Sequence, residues 1–242
     1  MRKKSRYAEH HKPWNNKLSL LPLRVLLLKC LTYFVASSLT LVLILRFIPV
    51  PTSAFMLYRH YQDLVVDQSF KGIDYHWVSS KNISPNASSA VIASEDQLFY
   101  QHFGFDLNAI RIAINAYFNG GQRLRGASTI SQQVAKNLFL TPAKSFIRKG
   151  LEVWFTLLIE LLWSKERILS IYLNIAEFGD HLFGIEAASR YYFGTSAKNI
   201  TRSQAALLAA TLPNPLKLKA DHPSSYVLRR QNWILRQMQN QN

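Results

Sequence analysis

Residues 30–45 contain no charged side chain, and residues 25–28 and 47–50 lengthen the apolar stretch at both ends. A helix needs about 20 apolar residues to cross a hydrocarbon core. Residues 26–48 meet that length if Lys29 and Arg46 extend their ends toward the two headgroup layers. Pro49 and Pro51, which cannot continue a helix, are predicted to stop it. A second apolar stretch, residues 151–163, is shorter and carries Glu152 and Glu160. That is too short and too polar for a crossing; it reads as a core helix or as one that also dips into a membrane surface.

Elsewhere the pattern is helical wherever it is readable. Residues 52–85 have no clear period, although Tyr58, Tyr61, Phe70, Tyr75 and Trp77 suit a surface near a membrane interface. Helical signals begin at Ser89. Asp106 is a good N-cap for a helix over 107–118, which Gly120-Gly121 would end. Ser128 or Thr129 can cap a helix with Ile130, Val134 and Leu138 on its buried face. Thr201-Arg202-Ser203-Gln204 has the form of a capping box ahead of residues 205–212, and Pro213 closes that helix. No alternating run is long enough for a substantial sheet. The expectation is a mostly α domain behind one membrane helix.

Charge orients this arrangement. The chain of 242 residues carries a net +15, and nine basic side chains against one acid put +8 of it in the first fifty residues. Positive charge ahead of a span keeps that end in the cytoplasm. Residues 1–25 are therefore expected to be a cytoplasmic basic tail, 26–48 the transmembrane helix, and 52–242 an extracytoplasmic domain. A cleaved signal peptide fits less well, because the basic leader is too long and no small-x-small site follows a short apolar core. The surplus of cations implies an anionic partner, but this topology removes nucleic acid as a candidate. The single cysteine, Cys30, excludes an internal disulfide and any multi-cysteine metal cage.

Three strings carry candidate chemistry. Ser94-Glu95-Asp96-Gln97-Leu98-Phe99-Tyr100-Gln101-His102-Phe103-Gly104 places adjacent acids after an apolar run, with a carboxylate near a helix end. Gly126 to Asn137 puts Gln132 and Lys136, an amide and a cation one turn apart, opposite the apolar face. Arg148-Lys149-Gly150-Leu151-Glu152 spaces Arg148 and Glu152 at i, i+4, as a bare pattern most often a surface ion pair. Between the first two strings, Asn119 to Gly126 holds three glycines with Arg123 and Arg125, suited to a mobile basic loop or to a plain connection.

Together these strings resemble the successive motifs of the peptidoglycan glycosyltransferase family. Two further strings match in order: Lys165-x-x-Ile168-Leu169-x-x-Tyr172-Leu173-Asn174, and Ala187-Ala188 through Tyr192-Phe193-Gly194 and Ser196. The resemblance spans about residues 89–215. It lacks the Ser-x-x-Lys and Lys-Thr-Gly strings of a fused transpeptidase, so the monofunctional, membrane-anchored form is expected. One departure is Ser170, where members often carry an acid.

The resemblance implies a lysozyme-like fold of two helical lobes and polymerisation of lipid II, a disaccharide-pentapeptide on undecaprenyl diphosphate. It makes Glu95 the general base and Glu152 the second essential carboxylate. Lys136, Arg148 and Lys149 become the diphosphate-binding cations. Gln132, Gln133, Ser128, Thr129 and Asn137 would line the sugar cleft, while Asp96, Phe99, His102 and Gly104 support the loop that bears Glu95. No tightly bound cofactor and no protein metal site is implied, though Mg²⁺ can accompany the diphosphate. The expected partners are lipid II, the growing glycan strand, the bilayer of the bacterial inner membrane and other wall-synthesis or division proteins. A membrane-anchored lytic muramidase and a non-catalytic wall-binding scaffold are the competing readings. The muramidase has no need of a basic cluster beside the acids, and complete motifs argue against the scaffold.

Overall fold

A computed structural model describes residues 21–118, 128–143 and 145–240. The basic tail over 1–20 and the glycine-arginine segment over 119–126 lie outside the described residues.

The chain divides into two compact units, Met1–Ser38 and Leu39–Asn242. The described part of the first belongs to helix α1 (Leu21–Leu45), which continues into the second. Leu26, Leu27, Leu28 and Leu31 are all exposed. Apart from Ser38, Val42 and Leu45, which are buried, the helix is uncovered by protein, and an apolar helix so exposed has the pattern of a membrane span. The qualifying stretch is Pro22–Leu45, with mean hydropathy 1.9. It lies slightly N-terminal to the expected 26–48, because the helix ends before either proline. Beyond Leu45, the Arg46 amide still bonds back to Val42 and Leu43, and the Ile48 amide to Ile44. Within the second unit, side chains add to this end: Trp163 Nε1 donates to Val42 O at 2.8 Å, and the Arg167 guanidinium donates to Leu45 O and Ile48 O.

The second unit is mostly helical, as expected. It contains α2 (Ala54–Val65), α3 (Pro85–Glu95), α4 (Leu107–Phe118), α5 (Ile130–Phe139), α6 (Phe146–Leu162), α7 (Lys165–Ile175), α8 (Ile185–Phe193), α9 (Arg202–Thr211) and α10 (Ser225–Gln239). Helix starts follow capping chemistry. Ser53, Ser84, Ser145, Ser164 and Ser224 each accept a first-turn amide, and Asp106 Oδ1 accepts the Ala109 amide at 2.8 Å. Thr129 and Thr201 both form complete capping boxes, with Gln132 and Gln204. Of the two candidate caps for α5, then, Thr129 is the one used.

Three short strands, β1 (Asp74–Tyr75), β2 (Glu177–Gly179) and β3 (Leu182–Phe183), make one small sheet in the order β1-β3-β2. β3 pairs parallel to β1 (Tyr75 opposite Phe183) and antiparallel to β2 across a bulge. The turn after β3 requires Gly184: its φ is +85°, and a Cβ there would sit 2.5 Å from Asn174 O. The core gathers Met56, Phe99, Ile130, Ile159, Ile168, Tyr172, Phe178 and Phe183, all essentially inaccessible. Helix α6 is half in this core, through Phe155, Leu158 and Ile159, and leaves Phe146, Ile147 and Leu161 exposed.

Candidate active site

Glu95 is the last residue of α3, and the chain turns sharply after it, Asp96 having φ −163° and ψ 78°. Asp96 is buried and fixes that turn. Its Oδ2 accepts the Ile130 amide at 3.0 Å and its Oδ1 lies 2.9 Å from His102 Nε2. The end of α3 is thereby pinned to the start of α5. A second tie comes from Thr129 Oγ1, which donates to Gly104 O at 2.7 Å. Gly104 has φ +78°, and a Cβ would meet Thr156 Cγ2 at 2.8 Å. Phe99 packs beneath with no exposed surface, the Lys165 ammonium 4.6 Å from its ring centre. The four residues expected to support the Glu95 loop all touch it or its anchor points.

The Glu95 carboxylate is 14% exposed and hydrogen-bonded at both oxygens. Oε2 accepts from Gln133 Nε2 at 3.1 Å. Oε1 lies 2.9 Å from Ser94 Oγ and 3.3 Å from Arg230 Nη2. Arg230 also donates to Ser94 Oγ at 2.9 Å. Tyr172, buried on α7, holds the other end of the Gln133 amide through its hydroxyl at 3.3 Å. The neighbouring glutamines therefore part company. Gln133 contacts Glu95, whereas Gln132 is buried and gives its side-chain oxygen to the Thr129 amide. The pattern put Gln132 on a polar face with Lys136, but the capping box turns its amide back to the helix start instead.

Three hollows run into one another along this surface. The first, about 330 Å³, is lined by Glu95, Asp96, Asp106, Ser128 and Thr129. The second, about 820 Å³, shares Ser94 and Glu95 with it and adds Gln133, Lys136, Asn214, Lys217, Tyr226 and Arg230. The third, about 430 Å³, shares Gln133 and Lys136 with the second and adds Asn137, Arg148, Tyr172 and Glu177 beside the apolar Phe55, Leu140 and Pro215. Glu95 stands at the first junction and Lys136 at the second.

The cations are arranged around a buried acid. Glu152, 2% exposed, takes Arg148 Nη1 at 2.6 Å and Lys149 Nζ at 2.5 Å. The i, i+4 pattern is thus a buried cluster rather than a surface pair. Burial pushes the Lys136 ammonium below the usual lysine pKa, against the pull of Glu152 and Glu95 and with the push of Arg148 and Lys149. Arg148 Nε and Arg230 Nε are buried without a hydrogen-bond partner among the described residues. Orphaned donors bordering a groove mark where an anion would be held. Lys149 is half-exposed and lines none of the three hollows.

Two side chains at the groove escaped the motif reading. Arg230 lies on α10, beyond the stretch that carries the motifs; the available signal was Ser224 ahead of an amphipathic run with Val227, Ile234 and Met238 buried. Glu177 follows the fourth motif on β2, where burial raises its pKa despite Arg59 Nε at 3.2 Å. Ser170, the one departure from the expected motifs, lies in none of the three hollows.

Comparison with known proteins follows the same outline. A family model described as "Transglycosylase" matches residues 64–239. A biosynthetic peptidoglycan transglycosylase of Haemophilus influenzae is 54% identical over 207 residues, covering 86% of this chain and 84% of that protein. One from Mannheimia succiniciproducens is 53% identical (86% and 85% covered), and one from Pseudomonas putida is 52% identical (87% and 88% covered).

Proposed function

The chain belongs to the transglycosylase family, and from that footing we propose that this peptidoglycan glycosyltransferase polymerises lipid II into β-1,4 glycan strands with Glu95 as general base. In a single inverting displacement the 4-hydroxyl of an acceptor sugar attacks the anomeric carbon of the donor. The α-linked diphosphate leaves and a β bond forms. Such a step needs a base on the hydroxyl and stabilisation of the departing anion. One observation carries the reading: Glu95 and Lys136 line the same groove, and Lys136 opens onto the hollow that holds Arg148.

Glu95 is held by three donors, Gln133, Ser94 and Arg230, that fix the carboxylate without covering it. An acceptor hydroxyl arriving from either adjoining hollow would meet this carboxylate. The diphosphate belongs on the far side, at Lys136 and the unspent donors of Arg148. A charge-assisted hydrogen bond to an anion is worth about 1.5–3 kcal/mol. Glu152 already holds two cations, so its part is to position Arg148 and Lys149 rather than to move a proton. Ser128, Thr129 and Asn137 edge the outer hollows and would contact sugar hydroxyls. Among the described residues no three Asp, Glu, His or Cys side chains converge to seat a metal; Mg²⁺ would come with the diphosphate, and no step here depends on it.

α1 serves as the anchor, with residues 1–25 in the cytoplasm and the catalytic domain on the outer face of the inner membrane. A substrate with a polyprenyl tail cannot leave the bilayer, so tethering the enzyme raises the effective concentration of both. Division and wall-synthesis proteins are the expected company.

The test is polymerisation of lipid II by the wild type and by Glu95→Gln. The wild type should lengthen glycan, and the variant should be folded but slower by about 10²–10⁴-fold, the usual contribution of a positioned base. Equal product from both, or fragments released from finished glycan, would falsify this assignment.

A further inference from the structure

A fourth cavity, about 390 Å³, lies away from the catalytic groove and is lined by Phe47, Pro49, Trp77, Ser79, Ser80, Ser164, Glu166, Arg167 and Ser170. Its position follows from connectivity. The apolar span ends at Leu45, and Phe47 and Pro49 come directly after it. The cavity therefore opens at the depth where a bilayer keeps its headgroups. Phe47 is 76% exposed, with the Arg46 guanidinium 5.4 Å from its ring centre, and Trp77 lies under Arg167 at 5.2 Å. Trp77, with an apolar body and a polar N–H, is a ring type that favours that layer.

Arg167 and Ser170 are donors that line the cavity. Arg167 gives Nε and Nη2 to the Leu45 and Ile48 carbonyls, and it is also part of the cavity lining. Burial also lowers the Arg167 pKa, a cost that a neighbouring anion would relieve. Ser170 is 6% exposed and lines the cavity. It sits on the first turns of α7, whose N-terminal amides add partial positive charge. An acid at position 170, expected from the motif pattern, would set a second carboxylate beside Glu166 and repel a phosphate. Serine leaves the cavity open to one.

We propose that this cavity binds the phosphodiester headgroup of a bilayer phospholipid, held by Arg167 and the Ser170 hydroxyl with Trp77 and Phe47 against the glycerol end. The bound lipid fixes the depth at which the catalytic domain sits. The proposal rests on α1 being a membrane span.

The experiment uses the full chain in nanodiscs of phosphatidylethanolamine and phosphatidylglycerol, released into native mass spectrometry under rising collision energy. The wild type should hold one last phospholipid. Ser170→Asp should retain it at least about tenfold less, because like charges a few ångströms apart repel strongly in a half-buried site. Ser79→Asp, on the exposed rim, should weaken retention in the same direction with no risk to the core. Unchanged circular dichroism shows that both variants are folded. Equal retention by all three proteins overturns the proposal, as does displacement of the lipid by inorganic phosphate at equal concentration, which would make this a free-anion site. Failure of the chain to enter nanodiscs at all would remove the anchor, and this site with it.

Discussion

Lys136 concentrates the electrostatics of the groove in one side chain. Its ammonium is desolvated, and burial outweighs the attraction of Glu152 and Glu95. A lysine whose pKa is lowered keeps its charge below that pKa and loses it as pH rises, earlier than an exposed lysine would. If the ammonium stabilises the leaving diphosphate, activity should fall on the alkaline side before the ordinary lysine range. Lys136→Arg should push that alkaline limb upward whatever it does to the maximal rate, since guanidinium stays charged. A pH–rate profile on both proteins decides it; superimposable limbs would assign the limb to another group. Gly104 offers a purely structural counterpart. With φ +78° and Thr156 Cγ2 2.8 Å from any added Cβ, Gly104→Ala should cost about 1–3 kcal/mol in chemical denaturation. The Arg148–Glu152 spacing shows the limit of a pattern at this scale. The i, i+4 pair was readable, but its burial to 2% exposure was not, because burial depends on helices remote in sequence.

Three helices were legible from their caps. Asp106, Thr129 and Thr201 start α4, α5 and α9 where the sequence places them, since a cap is a local hydrogen bond needing only neighbouring residues. α2 was not legible, for a reason visible in its burial. Leu57, Tyr61, Leu64 and Val65 are exposed while Asp63 is buried against His181, both carboxylate oxygens 3.0 Å from Nε2. The helical period is present but inverted, with apolar residues outward and an acid inward, so it does not match the core-facing pattern by which a helix is read. The two capping boxes make a paired prediction. Thr129→Ala and Thr201→Ala should each lose about 1 kcal/mol of stability in thermal or chemical unfolding. Only Thr129→Ala should also slow polymerisation, because α5 carries Gln133 and Lys136 and its cap ties to Gly104. Equal activities would mean that the Asp96–Ile130 bond alone aligns the two helices.

For the whole molecule, the C-terminal end of α1 is part of the second compact unit. Val42 and Val50 are completely buried, Leu45 nearly so, and Trp163, Arg167 and Tyr75 bond to carbonyls of this stretch. The compact unit accordingly begins at Leu39. A truncated chain starting at Leu39 should fold better than one starting at Pro51, by at least about 2–3 kcal/mol for the lost burial of two or three aliphatic side chains. Melting of both truncations in matched buffer measures the difference. Indistinguishable melting would make residues 39–50 dispensable packing.

The sequence by itself determined an apolar helix long enough to cross a membrane, the helical class, the capped helix starts and the ordered motifs that lead to Glu95, Lys136, Arg148 and Glu152. All of these rest on local periodicity, local hydrogen bonds or residue order along the chain. Tertiary structure alone decided which of two adjacent glutamines reaches Glu95, that Arg230 comes in from α10 beside it, that Glu177 enters the groove, and that Ser170 faces a separate cavity. Those outcomes are set by packing between segments distant in sequence, such as α3 against α10, and a one-dimensional pattern carries no record of which remote side chain closes a contact.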